Sequence, residues 1–200
     1  AFQNPHGPLI VPSLEPYTNA DWPSQRHKEW GALITRMDTG IGKIVDHLES
    51  LGIADNTIIF FASDNGHSAW GYFGLEPGSD IPFFDNKGPF RGHKFSLDGE
   101  GGIRVPFIVN WPGKTRGTVS DQPVAFWDIM PTLAEMAGGT CTADTDGISF
   151  APTILGHAQP QHEYLYWEQN HTQAVRMGDW KAFRPHPSDP TQLYDLSKDP

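Results

Sequence analysis

Residues 30–66 carry the pattern that most narrows the folds open to this chain. Trp30, Leu33, Ile34, Met37, Ile41, Ile44, Val45, Leu48 and Leu51 recur at three- and four-residue steps, which is one apolar face of a long amphipathic helix. Asp21 is the expected N-cap, with Pro23 in the first turn, and Gly52 is the expected stop. Gly40 and Gly42 each cost a helix interior up to about 1 kcal/mol relative to Ala, and close packing against a neighbour is the expected reason for both. Asn56 and Thr57 then lead into Ile58-Ile59-Phe60-Phe61-Ala62. That apolar run is too short and too β-branched for a helix. It reads as a strand buried on both faces, the kind found in parallel sheets. Helix, short turn and buried strand together make half of a βαβ unit, so the fold class is α/β.

A second buried strand is expected at Arg104-Val105-Pro106-Phe107-Ile108-Val109-Asn110-Trp111, stopped by Pro112-Gly113. Between the strands runs a loop of about forty residues, rich in Gly, Pro and aromatics; loops of that length in a compact domain are usually functional. Residues 126–137 read as a short helix with Gly138-Gly139 after it. From residue 162 the pattern changes to short strands at 163–168, 173–177, 180–183 and 192–195, joined by turns such as Gly178-Asp179. That spacing predicts an antiparallel meander forming a small subdomain. Only two strands precede it, where a sheet commonly has about five, so further strands are expected upstream. The opening Ala1-Phe2-Gln3-Asn4-Pro5-His6-Gly7-Pro8 has no initiator Met and no charged or apolar leader region, and reads as mid-loop.

Charge excludes some partners. Fourteen Lys and Arg against twenty-four Asp and Glu give a net charge of −10, which argues against nucleic acid and against a polybasic membrane patch. No apolar run approaches the roughly 18 residues of a membrane span. Twelve Phe, seven Trp and five Tyr exclude a disordered chain. One cysteine, Cys141, excludes an internal disulfide framework and a cysteine-rich zinc site.

Candidate chemistry clusters in the loops. Asp64-Asn65-Gly66 follows the first strand directly, at the carboxyl edge where open α/β sheets bind ligands. A carboxylate beside an amide carbonyl is a pair of hard oxygen ligands suited to calcium or magnesium. The same tripeptide is also good turn chemistry. Gly88-Pro89-Phe90-Arg91-Gly92-His93-Lys94 leads to Glu100-Gly101-Gly102-Ile103-Arg104, and places His93 and Lys94 where an anion could be held, or on a solvated loop. His6 stands in Pro5-His6-Gly7-Pro8, and His67 follows the Asp-Asn-Gly turn. Each reads equally as a surface histidine.

Taken in order, these pieces resemble the sulfatase family of the alkaline-phosphatase-like fold. The resemblance covers nearly the whole chain. It takes in Pro5-His6-Gly7-Pro8, Arg36-Met37-Asp38, Leu51-Gly52-Ile53-Ala54-Asp55-Asn56-Thr57, Ser63-Asp64-Asn65-Gly66 and Arg91-Gly92-His93-Lys94. It continues through Glu100-Gly101-Gly102-Ile103-Arg104-Val105-Pro106, Trp111-Pro112-Gly113, Asp128-Ile129-Met130-Pro131-Thr132-Leu133, Asp146-Gly147-Ile148-Ser149 and Leu193-Tyr194-Asp195-Leu196. It implies part of an alkaline-phosphatase-like sandwich with a mostly parallel sheet. Residues 1–156 would be the C-terminal part of the catalytic α/β domain, and 157–200 a small antiparallel subdomain, expected to be truncated.

The implied activity is sulfate-ester hydrolysis. Asp64 and Asn65 match residues that ligate calcium together with two upstream aspartates. Lys94 and His6 match residues that contact the sulfate, and His67 and His93 are candidates for binding substrate in the same pocket. Glu100 and Arg104 read as structural, shaping the Gly turn and packing under the site. The nucleophile the family implies is a hydrated formylglycine made from Cys or Ser in Cys/Ser-x-Pro-x-Arg. Here Cys141 lies in Gly139-Thr140-Cys141-Thr142-Ala143, without that Pro and Arg, so nucleophile and aspartate pair are expected in an N-terminal half outside this chain. Lys94 also lies one residue further from Glu-Gly-Gly than is usual. The isolated chain is therefore expected to be inactive. The parent's expected substrate is a sulfated small molecule or glycan, and its expected location periplasmic or secreted. Two alternatives remain open: a phosphodiesterase or phosphonate monoester hydrolase of the same superfamily, and a non-catalytic relic binding sulfated glycans through Trp70, Tyr72, Phe73 and Trp167.

Overall fold

The structure is a computed structural model that describes residues 10–68, 81–85 and 88–198. Its first element, α1 (Gln25–Ser50), is the expected long helix. It starts at Ser24 rather than Asp21. Trp22 holds the preceding residues in the loop, stacked on Tyr17 at 4.5 Å and met edge-on by Phe83 and Phe84. Ser24 Oγ lies 2.8 Å from His27 Nδ1 and caps no helix N–H. The helix ends as the sequence predicts, with Gly52 in the left-handed region at φ +67°, a conformation that costs glycine no Cβ clash.

The glycines inside α1 divide. Gly31 and Gly40 are buried, and a Cβ at Gly31 would stand 2.7 Å from the Trp22 ring. Gly42 faces open space, with nothing within 4 Å of where its Cβ would be. Close packing therefore does not account for Gly42. The apolar face is real but only partly covered, since Ile34 and Ile44 stay exposed.

Strand β1 (Ile59–Ala62) follows a single 3-10 turn at Ala54–Asn56. It pairs antiparallel with β2 (Phe107–Asn110), Ile59 opposite Asn110 and Ala62 opposite Phe107. Among the described residues this sheet has these two strands. The expected burial on both faces is only partial among the described residues, all four residues of β1 being half-buried. Phe60 and Phe107 gather with Phe150 on one face, with ring centroids 5.6–6.3 Å apart, whereas Ile108 on the other face is 60% exposed. A short helix α2 (Ile81–Phe84) interrupts the long loop between the strands, and its Phe83 and Phe84 pack on His27 and Trp22 at the start of α1.

After β2 the chain forms a 3-10 turn at Phe126–Asp128, then α3 (Ile129–Met136) and α4 (Ala151–Ile154). Buried side chains splice these helices. Thr132 Oγ1 donates to Asp128 O at 2.6 Å and accepts the Phe150 N–H at 2.9 Å. Asp128, 1% exposed, accepts the N–H groups of Ala125 at 2.7 Å and Ile148 at 2.9 Å, and its carboxylate meets His162 Nε2 at 2.8 Å.

The predicted meander follows: β3 (Leu165–Gln169), β4 (Thr172–Met177), β5 (Trp180–Arg184) and β6 (Gln192–Asp195), antiparallel and adjacent in chain order. Its β4–β5 turn is Gly178-Asp179, with Gly178 at φ +56°. Period-two alternation sorts its side chains: Trp167, Ala174 and Phe183 lie side by side across three strands, as do Arg176, Lys181 and Tyr194. The buried cluster on this inner face is Leu97, Ala174 and Phe183, with Ile103, Trp167 and Tyr194 against it. Leu97 and Ile103 come from the loop ahead of β2. The small sheet thus completes its core with the very segment that carries His93 and Lys94.

Candidate functional site

Two loops build the site. The first leaves the carboxyl end of β1 as Ser63-Asp64-Asn65-Gly66, and the second is 91–103. They touch through backbone: Gly66 N–H donates to Gly102 O at 3.0 Å, and Lys94 N–H to His67 O at 2.7 Å. The approach is close enough to require glycine. A Cβ on Gly66 would stand 1.7 Å from Gly101 O, and one on Gly102 would stand 2.1 Å from Ser96 O. Gly66 is not among the residues at positive φ, so its role is contact distance rather than turn conformation. That settles one ambiguity of Asp-Asn-Gly: here the tripeptide is a close-packed junction.

The side chains beside the junction point into space. Asp64, Asn65 and Lys94 line one cavity of about 1020 Å³, whose wall also includes Phe95, Glu100, Arg104, Trp127, Tyr166 and Trp167. Asp64 is exposed, and no described residue pairs with its carboxylate. Asn65 Nδ2 donates to Gly66 O at 3.0 Å, which leaves its carbonyl oxygen free as an acceptor. Both are hard oxygen donors and fit a divalent cation such as calcium. Among the described residues no group of three or more His, Cys, Asp or Glu converges, so Asp64 and Asn65 offer two ligands of the roughly six to eight that calcium takes.

Lys94 sits in a tight turn. Ser96 N–H donates to His93 O at 2.8 Å and Ser96 Oγ to His93 O at 2.7 Å. Phe95 occupies the left-handed region at φ +74°, uncommon for a bulky residue and characteristic of strain held by its surroundings. The Lys94 ammonium lies 5.2 Å from the Phe95 ring centroid, and no described carboxylate pairs with it.

The remaining candidates fall elsewhere. His93 is beside the cavity, with its Nδ1 2.7 Å from Lys94 O, so its ring braces the turn that carries the lysine. His67 presents its backbone carbonyl to Lys94. Among the described residues lining the cavity, neither histidine appears. His6, Trp70, Tyr72 and Phe73 lie outside the described residues. Arg104 stacks on Phe90, 4.6 Å above the ring. Cys141 is a free, half-buried thiol away from the cavity lining.

The sequence reads Glu100 as a structural residue under the site but does not show its partners, Lys181 and Arg176. Glu100, 2% exposed, meets Lys181 Nζ at 3.1 Å and Arg176 Nη1 at 3.0 Å, and Lys181 also donates to Gly99 O at 2.8 Å. Lys181 is completely buried. Burial holds its ammonium below the ordinary lysine range, against the pull of Glu100 in the other direction. The signal was a register one: Lys181 alternates with Phe183 on the buried face of β5.

Comparison with known proteins places the chain. A sulfatase family model matches residues 1–139, and a model of the N-sulphoglucosamine sulphohydrolase C-terminal region matches residues 94–200. The chain is 37% identical to an arylsulfatase of Hemicentrotus pulcherrimus over 163 residues, covering 80% of this chain and 28% of that protein. It is 32% identical to an N-acetylgalactosamine-6-O-sulfatase of Bacteroides thetaiotaomicron over 197 residues, covering 85% and 36%. The crystal structure of Ps i-CgsB superposes with a TM-score of 0.76 at 28% identity, over 97% of this chain and 42% of that one. The chain therefore spans well under half the length of the relatives it matches.

Proposed function

The chain belongs to the sulfatase family, and from that premise we propose that it is the C-terminal part of a calcium-dependent sulfuric ester hydrolase. The observation that carries this reading is the meeting of Asp64, Asn65 and Lys94 on one cavity wall at the carboxyl end of β1. Two oxygen donors, and an ammonium that no carboxylate among the described residues pairs with, suit a bound cation with a sulfate ester beside it. In this reading residues 1–156 complete the catalytic α/β domain and 157–200 form the appended sheet.

Lys94 binds the sulfuryl oxygens and offsets the negative charge that builds on them as the ester bond breaks. Asp64 and Asn65 hold calcium, which when bound supplies positive charge at the same oxygens. His6 protonates the departing alcohol, so that it leaves neutral; His67 and His93, bonded to the Lys94 backbone, serve substrate binding by holding the turn that presents Lys94. The formylglycine nucleophile and the remaining metal ligands belong to an N-terminal half outside this chain. A sulfated glycan or sulfated small molecule is the substrate class, and the names of the relatives, an arylsulfatase and an N-acetylgalactosamine-6-O-sulfatase, support that breadth. The parent's location is periplasmic or secreted.

The test compares the full-length protein with this chain on an aryl sulfate and on the matching aryl phosphonate. Calcium-dependent sulfate release by the full-length protein, with none from the isolated chain, is expected. A preference for the phosphonate would overturn the sulfatase reading in favour of a phosphonate monoester hydrolase. Turnover by the isolated chain would overturn the assignment of the nucleophile to an upstream half.

A further inference from the structure

We propose that Lys181, in the appended sheet, is a positioning residue for the catalytic loops, acting through Glu100 and the turn Glu100–Gly102. The inference rests on the reading of Asp64, Asn65 and Lys94 above. Among the described residues that turn is bonded through its backbone both to Arg91 and to Gly66. Gly101 N–H donates to Arg91 O at 2.7 Å, in the arm that carries Lys94. Gly102 O accepts the Gly66 N–H at 3.0 Å, in the arm that carries Asp64 and Asn65. Both contacts are built without side chains. A Cβ at Gly101 would meet Gly92 O at 2.6 Å, and one at Gly102 would overlap Ser96 O. Within the turn only Glu100 has a side chain, and at the edge of the cavity wall it reaches to Lys181 and Arg176 of the β-sheet.

There Lys181 receives it. The ammonium makes two bonds to the turn, one to the Glu100 carboxylate and one to the Gly99 carbonyl. Arg176, opposite Lys181 in the β4–β5 register, holds the second carboxylate oxygen. Two further contacts seat the arm bearing Lys94 on the same face of the sheet: Leu97 in its core, and the Arg91 guanidinium 4.8 Å above the Tyr194 ring. Stability alone does not explain a buried lysine at this place. Desolvating an ion pair costs about what its attraction returns, and a well-packed apolar pair is often as stable or more so. What the directed bonds add is a fixed position for the turn, and a displacement of about 1 Å at a catalytic group is enough to cost roughly 100-fold in rate.

The experiment uses the full-length enzyme with an aryl sulfate as substrate. Lys181→Met removes the directed bonds at nearly constant volume. The double variant Glu100→Gln with Lys181→Met leaves no unpaired carboxylate, while the part-exposed Arg176 keeps its bond to the Gly178 carbonyl, and it covers the case in which the single variant does not fold. The expected result is a Tm close to wild type for the double variant with kcat/KM reduced about 100-fold, mainly in kcat, and substantial recovery in Lys181→Arg. A purely structural role would move activity only in step with stability. Wild-type kcat/KM in the folded double variant would overturn the proposal, as would a loss accounted for by the unfolded fraction. Lys94→Ala, assayed in parallel, separates the two failures: wild-type activity there would overturn the reading of the site itself, and this inference with it.

Discussion

Asp128 offers the sharpest test of how the helical segment is joined to the appended sheet. Its carboxylate is 1% exposed and collects three donors: the N–H groups of Ala125 and Ile148 and the imidazole of His162. Asp128→Ala leaves two backbone N–H groups buried without acceptors. At about 1–3 kcal/mol for each orphaned group, and with some relief from no longer burying a carboxylate, the expected loss is about 3–5 kcal/mol. For a protein of this length that is a fall in Tm of about 10 °C. His162→Ala breaks one of the three bonds and leaves the other two in place, so about 1–2 kcal/mol is expected. Urea unfolding followed by circular dichroism measures both. A loss under 1 kcal/mol for Asp128→Ala, or a larger loss for His162→Ala, would refute the assignment of Asp128 as the hub.

Two glycines test the packing argument in opposite directions. Gly42 lies inside α1 with open space where its Cβ would be, so Gly42→Ala is expected to stabilise the protein by about 0.5–1 kcal/mol; destabilisation in urea would refute that. Gly66→Ala would drive a Cβ into Gly101 O, and is expected to separate the two site arms and abolish sulfate-ester turnover in the full-length enzyme, while unchanged turnover would contradict the close approach.

Much of this was legible in the chain itself, and the gaps have physical reasons. Periodicity located α1 and all four strands of the meander, because both bury one face and show it in sequence. Five consecutive apolar residues point to burial of β1, which is half-buried throughout among the described residues, but they say nothing of β2, where Ile108 faces outward. Asp64, Asn65 and Lys94 were legible as candidates because polar residues beside a strand end or in a glycine loop stand out. Lys181 was not, because a lysine in a strand reads as a solvated face. Only the register, which places it opposite Arg176 and over Glu100, shows that it is buried. His93 was legible as a candidate but not as a brace, since its bond goes to the backbone of its own neighbour.

The central claim is that Lys94 shares one sulfate site with Asp64 and Asn65. The most direct measurement of it is kcat/KM of the full-length Lys94→Ala variant on an aryl sulfate, with the fold checked by thermal melting. Removing a preorganised charge from the transferring group is expected to cost about 100- to 1000-fold at an unchanged Tm. A kcat/KM within threefold of wild type would contradict the account.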